Sequence, residues 1–271
     1  MASSREGDGT AEGTGKSKAP LRAVAEPVKT MPGKEAFGPP LPRRFYKKAS
    51  VEAAPRGFRI LLDGRPVKTP KKNDLAVPTR AFAEAIAEEW RTQGEHVDPR
   101  TMPLTRLANV TIDAVAAEAA AVAADMQAFA GSDLLCYRAS APEGLVQRQH
   151  AHWDPVLAWA KSVLGAEFEA GEGVVPVKQS DEALAAIGRE LKRLDPYRLA
   201  SLHVMTTLTG SVILALAHMQ GRLTLDQTWS AAHVDEHWQI EHWGRDAEAD
   251  ARERIRRSEF EAASRLLSLL D

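Results

Sequence analysis

One cysteine, Cys136, occurs in 271 residues. An internal disulfide and any cysteine-built zinc cluster are therefore excluded, and a reducing compartment is the natural setting. A glycine-rich phosphate loop is also missing. Thr209-Gly210-Ser211 lies in an apolar stretch without the preceding glycine or the lysine that such a loop needs. There is no nucleophile elbow and no internal repeat at a solenoid period. The opening MASSREGDGTAEGTGKSKAP has no apolar core of the kind a secretory signal carries, and it is too rich in Asp, Glu and Gly for a transit peptide. A long uncharged run does occur at Leu199–Ala217, close to membrane-spanning length. It is interrupted by Ser201, His203, Thr206, Thr207, Thr209, Gly210 and Ser211 and has no asymmetric basic flank, so it reads as a buried central helix.

What is present is unevenly distributed. The net charge of −2 conceals a basic segment, residues 43–72, with ten Lys/Arg against two Asp/Glu, ahead of residues 73–271 with nineteen against thirty. Residues 1–42 are rich in Gly, Pro, Ser and Lys and poor in large apolar side chains, and are expected to be a disordered tail. In residues 43–78, Gly57–Leu62 has strand composition, Asp63-Gly64 is a hairpin turn, and Arg65–Pro70 continues as a strand pushed to an edge by Pro66 and Pro70. From Thr79 the periodicity becomes helical, with Phe82, Ile86 and Trp90 on one face. Helices are expected to Gly94, over 102–131, and over 143–164, 181–194, 196–220, 224–243 and 246–270, with an extended piece at Val174–Val177. The fold class expected is α+β: a small N-terminal β-rich module, 43–78, followed by a larger all-α helical domain, 79–271.

The segment His233-Val-Asp-Glu-His237 matches the H-x-x-E-H pattern of a zinc peptidase. On one helix its two imidazoles would share a face, but catalytic zinc needs a third protein ligand. Glu241 is eight residues from His233, about 12 Å of helix rise, too far for one ion. Glu248 or Glu253 of the next helix would have to serve. A zinc hydrolase using His233, Glu236 and His237 therefore stands as an alternative, without other catalytic support. Nucleic-acid binding is a second alternative, through the basic 43–72 region with Phe45, Tyr46 and Phe58 interleaved, although the acidic remainder would repel phosphate. The segment around the histidines carries Trp229, Trp238 and Trp243 with Glu236 and Glu241 among them. Such carboxylates are usually ion-paired structural groups, but aromatic surface with a desolvated charge can also anchor a partner. Glu241 lies three residues before Gly244, where the helix dipole disfavours an acid, so it asks for a cation from Arg245 or from a partner.

RRFYK (43–47), LDGRPVKTP (62–70), EEWRTQGEHVDPRTMPLTRLAN (88–109), DLLCYRA (133–139), WDPVLAW (153–159) and VDEHWQIEHWGRDAEA (234–249) together resemble the ATP synthase assembly factor 2, or ATP-twelve, family. The resemblance implies a chaperone rather than an enzyme, with no cofactor or metal. Its partner would be the free alpha subunit of ATP synthase, held until a beta subunit replaces the chaperone. Neither nucleic-acid binding nor membrane insertion is implied, and a monomer is expected. It also implies that Glu241 is the acid needed for function and that Trp90 is needed for a sound fold. Around Glu241 the expected partner-contacting set is Trp238, Arg245, Asp246 and Glu248, with Trp243 beside Trp90 as a structural residue. Relatives in mitochondria work in the matrix, whereas this chain's opening residues point to the bacterial cytoplasm.

Overall fold

The computed structural model describes residues 40–271 except Val174 and Arg245. The expected tail therefore lies, for residues 1–39, outside the described residues. At its end Val97 donates its backbone N–H to Pro42 O (2.9 Å) and Arg44 to Glu95 O (2.8 Å), which ties the start of the described chain to the body.

Two turns fold the strands. β1 (Ala49–Ala54) pairs antiparallel with β2 (Gly57–Leu62), Ala54 opposite Gly57. Asp63 (φ 48°) and Gly64 (φ 80°) both have positive φ, as a tight two-residue hairpin needs, and Arg65 comes back opposite Leu62. The expected strand over Arg65–Pro70 is much shorter: β3 is Arg65–Pro66, because a proline N cannot donate to a ladder. β4 (Ala76–Val77) pairs with the other end of β2, so β1 is left at an edge.

α1 (Arg80–Arg91) starts at Thr79, whose hydroxyl accepts from Phe82 N. Its apolar face lies on the sheet: Phe82, Ala83 and Ile86 share a buried cluster with Ile60, Leu75 and Val77. Leu104 and Ala108 of α2 (Pro103–Val110) and Ala262 and Leu266 of α10 (Ala247–Leu269) complete it. Glu89, largely buried, accepts from Leu104 N (2.7 Å) and Thr105 N (2.8 Å) at the start of α2, satisfying donors that a helix N-terminus leaves open. Trp90 is half-buried between this cluster and a smaller one containing Tyr46, Leu62 and Met102. Its ring meets Tyr46 edge-on at 5.6 Å, and Tyr46 Oη donates to Trp90 O (2.7 Å).

α2 continues through a π-type turn at Thr111–Val115 into α3 (Ala116–Phe129). The run Pro103–Cys136 is, by length and composition, the one helical stretch among the described residues apolar enough to cross a membrane. Val122, Ala123 and Met126 are buried in the main core, and α3 packs against α5 (Asp181–Lys192) and α6 (Pro196–Thr209). The uncharged run Leu199–Ala217, expected as one helix to residue 220, breaks at Gly210 (φ 71°) into α6 and α7 (Val212–Met219). Both halves are mostly buried. At this break the fully buried Asp133 accepts from Leu135 N (3.1 Å) and Ile213 N (3.2 Å), joining the end of the α3 run to the start of α7.

α4 (Glu143–Trp159) runs through a π-type turn to Leu164 and ends at Gly165, matching the expected 143–164. The expected extended piece at Val174–Val177 is displaced. β6 is Gly171–Glu172, parallel to β5 (Tyr137–Arg138), and Val174 lies outside the described residues. The expected helix over 224–243 is also divided, into α8 (Leu225–Ala232) and α9 (Val234–Trp243). His233 leaves helical geometry at φ −117°.

Two outcomes test this packing. Trp90→Ala removes a ring that spans two clusters and should cost about 3 kcal/mol. At the usual scaling for a chain of this size, Tm should fall by about 6 °C or more in a thermal melt. An unchanged Tm would place Trp90 outside the core. The second outcome concerns pH. Burial pushes the Asp133 carboxyl up to about 6 against the opposing hydrogen bonds. The folded chain then holds that proton more tightly than the unfolded chain between the ordinary value of 3.8 and about 6, so its contribution to stability falls as pH rises through that window. The Tm difference between the native chain and Asp133→Asn should therefore be larger near pH ~4.5 than near pH ~7. A flat difference would show that the carboxyl does not titrate there.

Candidate functional site

α9 has little apolar anchorage. Of its ten residues, Val234 is buried and the rest are half-buried or exposed. Its position is set mainly by what α4 offers. Gly144 and Arg148 are four apart on α4, as are Gln149 and Trp153, so two neighbouring stripes of this helix, together about half its circumference, meet α8 and α9. Trp153 is fully buried and donates its indole N–H to Ala231 O (2.7 Å) at the end of α8. Gln149, also buried, accepts from Ala139 N (2.8 Å) and donates to Asp235 Oδ1 (2.7 Å) in the first turn of α9. Nearer the C-terminal end of α9, Arg148 holds Glu241 with two parallel bonds, Nη1 to Oε1 at 2.8 Å and Nη2 to Oε2 at 2.6 Å. The same guanidinium lies 4.9 Å from the centre of the Trp238 ring. Trp238 stacks on His242 at 4.1 Å and passes over Gly144. A Cβ at residue 144 would lie 2.5 Å from Trp238 Cη2, so this crossing needs glycine.

Glu241 thus finds a cation within the chain, on Arg148. The Arg148 guanidinium beside it holds the carboxyl below its ordinary value. Arg148 was not singled out in the sequence. Its partner is 93 residues away, and no local pattern marks such a pair.

The other expected residues fall around the end of α9. Trp243 is 77% exposed, which places it on the surface and outside the core, contrary to a packing role. It is the last residue of α9, whose C-cap is Gly244. Asp246 caps α10, accepting from Glu248 N (3.2 Å) and Ala249 N (3.3 Å). Glu248 is exposed and paired with Arg252 (2.6 Å). Arg245 lies outside the described residues.

The H-x-x-E-H pattern does not present two imidazoles from one helix, because α8 ends at His233. His233 is buried, stacked on Trp229 at 4.0 Å, with Nδ1 2.8 Å from Trp229 O. Burial lowers its pKa, so the neutral ring is favoured. Its centre lies 6.1 Å from that of His237, whose Nε2 faces Glu253 (3.7 Å) on α10. Among the described residues no group of three or more His, Cys, Asp or Glu is placed to hold a metal ion.

Comparison with known proteins shows the chain's relatives. Residues 43–161 match the family described as ATP12 chaperone protein. Atp12 from Paracoccus denitrificans is 42% identical in its crystal structure, with a TM-score of 0.80 over 85% of this chain and 99% of that one. This chain belongs to the ATP12 chaperone family. A crystal structure of an Agrobacterium tumefaciens protein proposed to be a chaperone is 49% identical, TM-score 0.82, covering 85% of this chain and 87% of that one. The mitochondrial atp12 protein of Schizosaccharomyces pombe is 26% identical over 221 residues, 76% of each chain. The two crystal structures share the arrangement of the small sheet and the helices over most of the length. The family match itself ends at residue 161, inside α4's terminal turn and ahead of α9.

A test of the crossing follows from Gly144. Gly144→Ala should push Trp238 from its seat, shift its fluorescence and loosen α9, while Trp153 keeps the main core folded. Unchanged Trp238 emission, isolated by comparison with a Trp238→Phe chain, would contradict the close approach.

Proposed function

We propose that this chain is a chaperone of ATP synthase assembly that binds the free alpha subunit of the catalytic head and keeps it from aggregating until a beta subunit replaces it. The coarse role comes with the family; the alpha subunit as client and the bacterial cytoplasm as location are our reading. The observation that carries it is the exposed face at the end of α9. Trp243 stands 77% exposed beside a charged pair, Arg148–Glu241, that fixes the helix it ends. Large aromatic side chains beside oriented charge are what binding hot spots use. In this reading Trp238 and Glu241 set the angle of α9, Trp243 and Glu248 reach the client, and Asp246 holds the turn between α9 and α10. Arg245 belongs to the same turn by sequence. No catalysis is required.

The test combines aggregation of alpha subunit with melting curves. The native chain should suppress aggregation at stoichiometric ratio and be recovered with alpha subunit from lysate. Glu241→Lys should lose suppression with little change in Tm, because it opposes Arg148 at an exposed position. The exchanged pair, Arg148→Glu with Glu241→Lys, should restore much of it by re-forming the bridge. A single variant that fails and an exchange that also fails would make Glu241 a direct client contact. A native chain that neither suppresses aggregation nor captures alpha subunit would overturn the client assignment.

A further inference from the structure

We propose that the outer edge of β1, with the basic groove beside it, is a docking site for an extended acidic segment of a client polypeptide. The proposal deepens the chaperone reading and rests on it. β1 pairs with β2 along one edge, and among the described residues no strand pairs along the other. The phase of the strand is fixed at its start. Lys48 O accepts from Asp63 N (2.9 Å) on the β2 side, whereas Ala49 O accepts from Arg91 Nε (3.1 Å) on the opposite side. Peptide groups alternate along a strand, so Val51 and Ala53 aim their N–H and C=O outward with Ala49. They form the template that strand addition uses.

A groove of about 520 Å³ lies between this edge and α1. Its lining is cationic, with Lys47, Lys48 and Arg80 beside Arg44 and Arg91. Two of these are committed within the chain. Arg44 donates to Gln93 O (2.5 Å), and Arg91 is held by Glu84 (2.9 Å) and Glu88 (3.0 Å). Glu84, the carboxylate of the lining, is therefore neutralised. Lys47, Lys48 and Arg80 are exposed, and none is in a described ion pair. Arg80 lies 5.8 Å from the Phe58 ring and the Asp63 carboxylate accepts from the Lys47 and Lys48 backbone N–H groups, which leaves the groove with a cationic excess. Outward backbone groups select an extended chain, and exposed cations select acids on it. Carboxylates at alternate positions of an added strand recur about every 6.6 Å on one face, a spacing that a row of lysines can meet. A nucleic acid would use the cations and leave the backbone groups unpaired.

The probe is a fluorescein-labelled peptide of alternating glutamate and valine, followed by anisotropy with the full chain. Saturable binding is expected. Lys47→Glu with Lys48→Glu and Arg80→Glu should weaken it by about tenfold or more. Ala53→Pro, at an exposed position of the same phase, removes one outward N–H, which an edge strand tolerates, and should weaken binding comparably at little changed Tm. A peptide with proline at the alternate positions should not bind. Ser50→Cys carrying a photo-crosslinker should attach to the probe, since the native Cys136 is buried and its thiol is pushed up to about 12.

Absence of saturable binding would mean that the lysines merely protect the edge, and would overturn the proposal. So would indifference to Ala53→Pro, tighter binding of a single-stranded RNA of equal length, or crosslinking to the chain's own residues 1–39 in saturating peptide. Alpha-subunit protection is measured separately. The groove can therefore fail while the client assignment stands, and loss of both would sink the assignment itself.

Discussion

The last helix is the contact on which the rest depends. α10 contributes Phe260, Ala263 and Leu267 to the main helical core and Ala262 and Leu266 to the core under the sheet. Its final turn is pinned by Thr79 Oγ1, which donates to Leu269 O across 190 residues of sequence (2.6 Å). His218 and Ser264 join it to α7 at 2.8 Å, and Arg256 donates to Leu208 O (2.8 Å) at the end of α6. Neither apolar cluster is closed until this helix docks, so α10 must meet both the sheet module and the helical core before either is complete. Such non-local closure is slow to form and is repaid by burial on both sides.

α9 hangs between α8 and this closing helix and has almost no core of its own. An apolar helix face would have fixed it rigidly and hidden it. Instead the chain holds it by polar and aromatic contacts to α4: Gln149 to Asp235, Arg148 to Glu241, and Trp238 over Gly144. Such contacts orient a helix while leaving its far end in water. The same economy appears in the sheet, where among the described residues β1 keeps one edge unpaired. The charge asymmetry seen in the sequence thus resolves into two separate surfaces, a basic one along β1 and a mixed acidic and aromatic one at the end of α9.

Much of this was legible where local chemistry decides. Asp63-Gly64 specifies its hairpin because both residues tolerate positive φ, and Gly165 ends the 143–164 helix for the same reason. The β-then-α order was readable from the change in periodicity at Thr79. Long-range contacts were not. Nothing near Arg148 announces Glu241, and nothing in the alternation of residues 49–62 says that α1 will share the sheet's core. The breaks at Gly210 and His233 were missed because apolar periodicity continues across them. In the structure, Ser211 caps α7 and His233 stacks on Trp229. Trp243, expected as a structural residue, stands exposed at the end of α9, and no local pattern marks that outcome.

In the proposed chaperone the client meets the end of α9 and the start of α10. Hydrogen–deuterium exchange of the full chain, alone and with alpha subunit, reads this directly at the level of backbone amides. Exchange should slow in peptides covering residues 234–248 when alpha subunit is present, while peptides around Trp153 and the α6–α7 core stay as they were. Unchanged exchange over 234–248 in a chain demonstrably bound to alpha subunit would contradict the account.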